Sequence, residues 1–209
     1  MTTTHPHPHP HAPNHHAHHA GFKGVPGLLM GLLFNFGRGG DADLALRLAE
    51  VTPGDRVVDL GCGPGAAVRA AAKRGATVIG VDPAAVMLRL GRLFTWSRRA
   101  RYLEGTAESV PVPDDGATVV WSIATVHHWQ DIGTGLAEVR RVLAPGGRFV
   151  AIERRTHPGA TGVASHGWTD EQAAAFADAC RAAGLTDLRT EHARTKHRGQ
   201  VVAVVARNG

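Results

Sequence analysis

The chain has 209 residues, a length that fits one domain with a short extension. Its formal net charge is +5, with basic residues loosely clustered at Arg98, Arg99 and Arg101, at Arg140–Arg141 and over Arg189–Arg198. Only 5% of residues are aromatic, which leaves few rings to stack on bases and argues against a nucleic-acid partner. No apolar run reaches the ~18 residues that a spanning helix needs. The first residues lack the charged start and apolar stretch of a secretory signal, and Cys62 and Cys180 make no disulfide framework. These features lead us to expect a cytoplasmic protein with no transmembrane span.

Residues 1–20 hold eight histidines, His5, His7, His9, His11, His15, His16, His18 and His19, among prolines, threonines and alanines. Such a segment cannot bury apolar surface, so a disordered tail is expected. Its imidazoles could take Ni²⁺, Zn²⁺ or Cu²⁺ at modest selectivity, it could bind a partner, or it could be neutral low complexity. Residues 21–209 are expected to form a single domain. Within it, 24–36 is apolar and Gly-rich, readable as a flexible helix covering a bound ligand, or as a sign of a hydrophobic substrate or of a loosely membrane-facing lid. Asp41–Glu50 has the pattern of a capped amphipathic helix, ended by Thr52-Pro-Gly.

Short apolar strands then alternate with helix-length segments. Strands are expected at 56–60, 77–81, 101–104, 117–124 and 148–153, and helices at 64–74, 83–94 and 132–143. This alternation is the signature of βαβ units around a parallel sheet. The end of the chain differs. A helix over 169–183 is closed by Gly184, and strands at 185–192 and 200–206 are joined by only seven residues, too few for a parallel crossover. The expected fold is α/β: a doubly wound, Rossmann-like, seven-stranded sheet, mostly parallel, with an antiparallel C-terminal edge hairpin.

The sharpest local signal is Val57-Val-Asp-Leu-Gly-Cys-Gly-Pro-Gly65, an apolar strand running into three glycines and a helix. Glycines there permit a tight turn and close backbone approach to a ligand at the sheet's carboxyl edge. Gly61-x-Gly63-x-x-Ala66 also fits a dinucleotide fingerprint, with Asp82 about 20 residues on. Three features argue the other way. Asp59 places a carboxylate beside the turn, which suits a cationic ligand end better than a pyrophosphate. Gly80-Val-Asp82-Pro ends the next strand with an acid placed for ribose hydroxyls. The antiparallel edge hairpin is foreign to a dinucleotide fold of two equal halves.

With four motifs in order, VVDLGCGPG at 57–65, GVDPAAVML at 80–88, GTAESVPVPD at 105–114 and LAEVRRVLAPGGRFVAIE at 136–153, the chain resembles class I S-adenosylmethionine-dependent methyltransferases. The resemblance is greatest to the group of ubiquinone/menaquinone-type and other small-molecule methyltransferases. It implies S-adenosyl-L-methionine as cofactor and S-adenosyl-L-homocysteine as product. It further implies that Asp59 helps hold the methionine ammonium and that backbone at Gly61, Cys62 and Gly63 packs on the methionine part. Asp82 would bond both ribose hydroxyls, Pro83 and Met87 would line the adenine, and Ala107 and Glu108 would meet its edge. Thr106 stands where the family often has Asp, which weakens that contact. Ser122 ends the fourth strand, where the family's backbone faces the methionine amine. The competing readings are plain core packing for Pro83 and Met87, and a helix N-cap for Asp82.

Methyl transfer can run on positioning alone; a base helps when the attacking atom carries a proton of high pKa. The candidate bases are His127, placed first, and His128, in Thr125-Val-His-His-Trp-Gln-Asp131 after the fourth strand. The alternative is a hydrogen-bonded loop histidine, and Trp129 is read as packing. Substrate contacts are expected from 24–40 (Phe34, Asn35, Phe36, Arg38) and from 154–168 (Arg154, Arg155, His157, His166, Trp168). No spacing joins His157 and His166 into a metal site, and none is assigned in the domain. The expected activity is methylation of a small organic acceptor at carbon, oxygen or nitrogen. The rivals are a non-catalytic S-adenosylmethionine or metal binder and, behind it, a nicotinamide oxidoreductase.

Overall fold

The computed structural model describes residues 13–14 and 39–209. The expectations for 24–38, and those for the histidines of the tail, lie outside the described residues. From residue 39 the elements run α1 (Gly39–Leu48), β1 (Arg56–Leu60), α2 (Ala66–Lys73), β2 (Thr77–Asp82), α3 (Ala85–Phe94), β3 (Ala100–Glu104), β4 (Ala117–Ile123), α4 (Ile132–Val142), β5 (Leu143–Arg154), α5 (Asp170–Ala182), β6 (Leu185–Thr195) and β7 (Gly199–Asn208). One 3₁₀ turn, Val126–His128, follows β4, and another covers Gly162–Ser165.

The seven strands form one sheet in the order β3-β2-β1-β4-β5-β7-β6. β1 to β5 are mutually parallel, and β7 is antiparallel to both β5 and β6. The expected mostly parallel α/β sheet with an antiparallel C-terminal pair is what forms. The hairpin is tighter than its apolar pattern indicates: β6 runs on to Thr195 and β7 starts at Gly199. β5 also begins earlier, at Leu143, where Ala117 pairs with Leu143 before an irregularity shifts the register to Val119 and Arg148. That irregularity hides the first part of the strand from an alternation rule.

Both faces of the sheet are covered at its centre, which is why β4, β5 and β7 carry continuous apolar runs rather than alternate ones, whereas the edge strand β6 is largely polar and exposed. Val201, Ala203 and Val205 of β7 join one core with α1, α2 and Leu88 of α3. Val202, Val204 and Ala206 join the other core with α4 and α5. The buried set of α4, Gly135, Leu136, Val139 and Val142, recurs at helical spacing. Asp131 caps α4 by accepting from the Thr134 N–H at 2.6 Å, and Thr169 with Gln172 makes a capping box on α5. Asp41 has a different task from the cap suggested by its position. It lies inside α1, and its buried carboxylate accepts from Thr195 Oγ1 at 2.7 Å and Arg198 Nε at 2.5 Å, tying α1 to the β6–β7 turn.

The strand order reverses between β1 and β4. A crevice at the carboxyl ends of the strands is expected at such a switch point, and it is to this edge that the candidate residues come.

Candidate active site

β1 runs into a turn built on three left-handed glycines, Gly61 (φ 71°), Gly63 (φ 52°) and Gly65 (φ 81°). The Gly61 and Cys62 N–H groups both donate to Val81 O on β2, at 2.8 and 3.0 Å. A Cβ on Gly61 would land inside the Thr125 side chain, and one on Gly65 inside the Tyr102 hydroxyl. These positions are therefore closed to other residues by space as well as by φ. Gly65 is the N-cap of α2 and supplies no side-chain bond, so the first N–H groups of that helix face the turn.

Two carboxylates bracket the turn. Asp59, on β1, is 2% exposed, and Asp82, at the end of β2, is 8% exposed. Asp82 Oδ2 accepts from Gly63 N–H at 2.9 Å and Oδ1 from Ala84 N–H at 2.8 Å. The carboxylate thus fixes the turn and the start of α3 together, so its cap-like bond and its place at the ligand edge are not alternatives. Cys62 lies between the two acids. Burial, reinforced by the charges of Asp59 and Asp82, pushes its thiol well above the usual range, so it stays protonated and unreactive. This set of groups fits a ligand with a cationic end and vicinal hydroxyls. It suits a pyrophosphate less well, because the carboxylates of Asp59 and Asp82 flank the helix N–H groups that would hold the anion.

Around this centre the other predicted residues separate. Met87 is buried, whereas Pro83 is exposed, which rules out core packing for the proline. Ala107 is buried next to Thr106, which bridges to Ser109. The Glu108 carboxylate turns to the loop after β4, where Oε1 accepts from Gln130 N–H at 2.7 Å and from Asp131 N–H at 3.3 Å. Ser122 is fully buried, and its hydroxyl lies 2.6 Å from that of Thr125, which donates to Leu60 O at 3.0 Å. Thr125 thereby stitches the end of β4 to the end of β1.

β4 leaves the sheet through Ala124, a non-glycine residue at φ 57° whose N–H donates to Ile152 O on β5 at 2.7 Å. This sharp exit delivers the 3₁₀ turn carrying His127 and His128. His127 is 3% exposed, and its Nδ1 lies 2.9 Å from Oε2 of Glu153, which is wholly buried at the end of β5. Burial alone would raise the Glu153 pKa. The charge and hydrogen bond of His127, with Arg198 farther off, outweigh it, and the carboxyl is held below its ordinary value. His166, from the loop before α5, joins the same cluster: its ring centroid is 5.4 Å from that of His127 and 5.5 Å from that of His128. Nothing in the spacing of 127, 128 and 166 links them; the fold does. Glu153 is not among the residues the sequence singles out, because it closes a motif that is legible for its fold. An acid ending the apolar run Phe149-Val-Ala-Ile152 beside the strand that precedes His127 was the signal available.

The remaining substrate candidates divide as well. Trp168 is fully buried with its ring 4.8 Å from Phe176, and its Nε1–H donates to Pro13 O at 2.8 Å. Arg155 is paired with Asp170 at 2.5 Å. His157 is exposed and lies against Pro158 O at 3.1 Å. Trp168 is thus held in the core and Arg155 in an ion pair, and His157 is apart from the histidine cluster. Trp129 is buried against Gly135 and packs as expected.

A sheet of this order with an acid-flanked glycine turn at its switch point defines a Rossmann-like methyltransferase architecture. Residues 58–151 match the methyltransferase domain family, and this match together with the fold supports a place among the class I S-adenosylmethionine-dependent methyltransferases. It is 33% identical over 121 residues to the uncharacterized methyltransferase YcgJ of Bacillus subtilis, covering 56% of this chain and 48% of that one. To the demethylmenaquinone methyltransferase of Tropheryma whipplei it is 33% identical over 118 residues, covering 54% and 47%. The chain therefore spans about half the length of these relatives. In fold it is similar to a SAM-dependent methyltransferase from Aquifex aeolicus, with a TM-score of 0.71 at 15% identity over 87% of this chain and 98% of that one. Among the described residues no helix is long and apolar enough to cross a membrane.

Proposed function

We propose that the protein transfers a methyl group from S-adenosylmethionine to a small organic acceptor. The observation that carries this reading is the pair Asp59 and Asp82 on either side of the left-handed glycine turn at the switch point. In this reading Asp59 holds the methionine ammonium and Asp82 the ribose hydroxyls. The backbone of Gly61, Cys62 and Gly63 packs on the methionine part. Pro83 and Met87 flank the adenine, and the backbone at Thr106, Ala107 and Glu108 meets its edge, the Glu108 carboxylate being engaged elsewhere. Ser122 contributes backbone, its hydroxyl being bonded to Thr125.

When bound, the cofactor supplies an electrophilic methyl group; the chain's own residues orient the acceptor and receive its proton. His127 suits the second task. With its Nδ1–H donated to Glu153, Nε2 is the nitrogen that accepts, an orientation fixed by a buried carboxylate. His128, its ring centroid 4.1 Å away, is the alternative base. A cytoplasmic site of action is part of the proposal, in keeping with two buried thiols, Cys62 and Cys180, that are not bridged.

Calorimetric titration of the purified protein with S-adenosylmethionine, S-adenosylhomocysteine and NAD(H) tests this reading. Binding of the first two without NAD(H) is expected. Binding of NAD(H), or of none of them, would overturn it.

A further inference from the structure

We infer that His127, His128 and His166 form a binding site for one divalent transition-metal ion of the zinc type, at the same edge of the sheet as the glycine turn. Each ring offers one nitrogen, and the three nitrogens lie within 4.8 Å of one another. Tetrahedral Zn²⁺–imidazole bonds of about 2.0–2.1 Å bring such nitrogens closer than this, so the rings close inward on binding. His128 and His166 are only half-buried.

Three further observations support the assignment. Glu153 accepts from Nδ1 of His127 at 2.9 Å, the carboxylate–histidine arrangement that fixes the tautomer and leaves Nε2 as the coordinating nitrogen. Three imidazoles without a thiolate suit Zn²⁺, Cu²⁺ or Ni²⁺ rather than Mg²⁺ or Ca²⁺. Three protein ligands also leave a coordination position for an outside donor, the pattern of catalytic rather than structural zinc sites. The site would accept an oxygen or sulfur donor such as a hydroxyl, an enol or a thiol. It stands two residues after Thr125, whose side chain packs on Gly61. Metal binding itself does not depend on the methyltransferase reading; only the use of the open position to hold the acceptor's attacking atom rests on it, and with an ion bound the imidazoles would be ligands, so the ion would take over from the His127 base by lowering the acceptor's pKa.

The N-terminal segment reaches the rim of this site. Asn14 Nδ2–H donates to Trp129 O at 3.1 Å and to Gln130 O at 3.3 Å, while Pro13 O accepts from Trp168. His11 and His15 are close neighbours in sequence, so a test must silence the tail's own imidazoles without removing the segment.

The experiment uses the full chain with the eight tail histidines changed to alanine, titrated with Zn²⁺ and with Co²⁺, whose visible absorption reports ligand number and geometry. One equivalent is expected to bind. In that background His166→Ala should weaken binding at least about tenfold and alter the Co²⁺ spectrum, Glu153→Gln should weaken it about 10–100-fold, and His157→Ala should leave it unchanged. The circular dichroism of each variant confirms folding. Failure of the tail-substituted protein to bind one equivalent would overturn the site, as would unchanged affinity in His166→Ala. Cofactor titration without metal is a separate measurement, so the two readings fail independently.

Discussion

Nδ1 of His127 and Oε2 of Glu153 lie 2.9 Å apart, joining the loop after β4 to the end of β5 in a place water hardly reaches. Removing one partner of a buried pair leaves the other without its bond and costs about 3–5 kcal/mol. Glu153→Ala is expected to lose stability on this scale in equilibrium urea unfolding, and Glu153→Gln, which keeps an acceptor, substantially less. Equal losses in the two variants would show that packing volume, not the bond, is what matters there.

Asp82 accepts two backbone N–H bonds, and in the proposed function it also holds the ribose hydroxyls. Asp82→Ala should weaken S-adenosylhomocysteine binding by about 1.5–3 kcal/mol, the range for hydrogen bonds to a charged group. Calorimetry reads this directly, and unchanged affinity would remove Asp82 from the ligand site.

Gly61 combines a positive φ with contact against Thr125. Gly61→Ala should destabilise the fold by about 2–4 kcal/mol, since strain and overpacking add, and should abolish cofactor binding. Adding Thr125→Ser should recover part of the stability by freeing the methyl group's space. No recovery would mean that backbone strain alone sets the cost.

Asp55 sits in the turn before β1, accepting from Thr52 N–H at 2.7 Å, from Thr118 Oγ1 at 2.7 Å and from the Arg148 guanidinium. Burial works to raise its pKa, but the hydrogen bonds of Thr118 and Thr52 and the charge of Arg148 prevail, and the carboxyl is held below its ordinary value. A depressed folded-state pKa contributes stability that is present above the unfolded value, about 3.9, and lost as pH falls through the folded one. The stability difference between wild type and Asp55→Asn should therefore be flat near neutral pH and shrink below about pH 4. A constant difference in acid would remove Asp55 from the acid transition.

Much of this molecule is legible from its residues in order. The strand–glycine–helix run at 57–65, the acid at 82 and the alternation of apolar strands with helices are local patterns, and among the described residues seven strands and five helices form where those patterns stand. The short link between the last two strands already required an antiparallel pair. Strand ends were less legible at β5, where an irregular register breaks the alternation, and Asp41 could be taken for a cap because its partners Thr195 and Arg198 are more than 150 residues away.

What the sequence by itself determined is the fold class and the acid-flanked turn, because both follow from backbone preferences and hydrophobic periods that act over a few residues. Only the tertiary structure decided that Glu153 meets His127, that His166 completes a cluster with His127 and His128, and that Trp168 is buried and Arg155 paired with Asp170. Those contacts depend on β4 and β5 ending side by side at one edge and on a loop returning there, and sequence separation carries no measure of that distance.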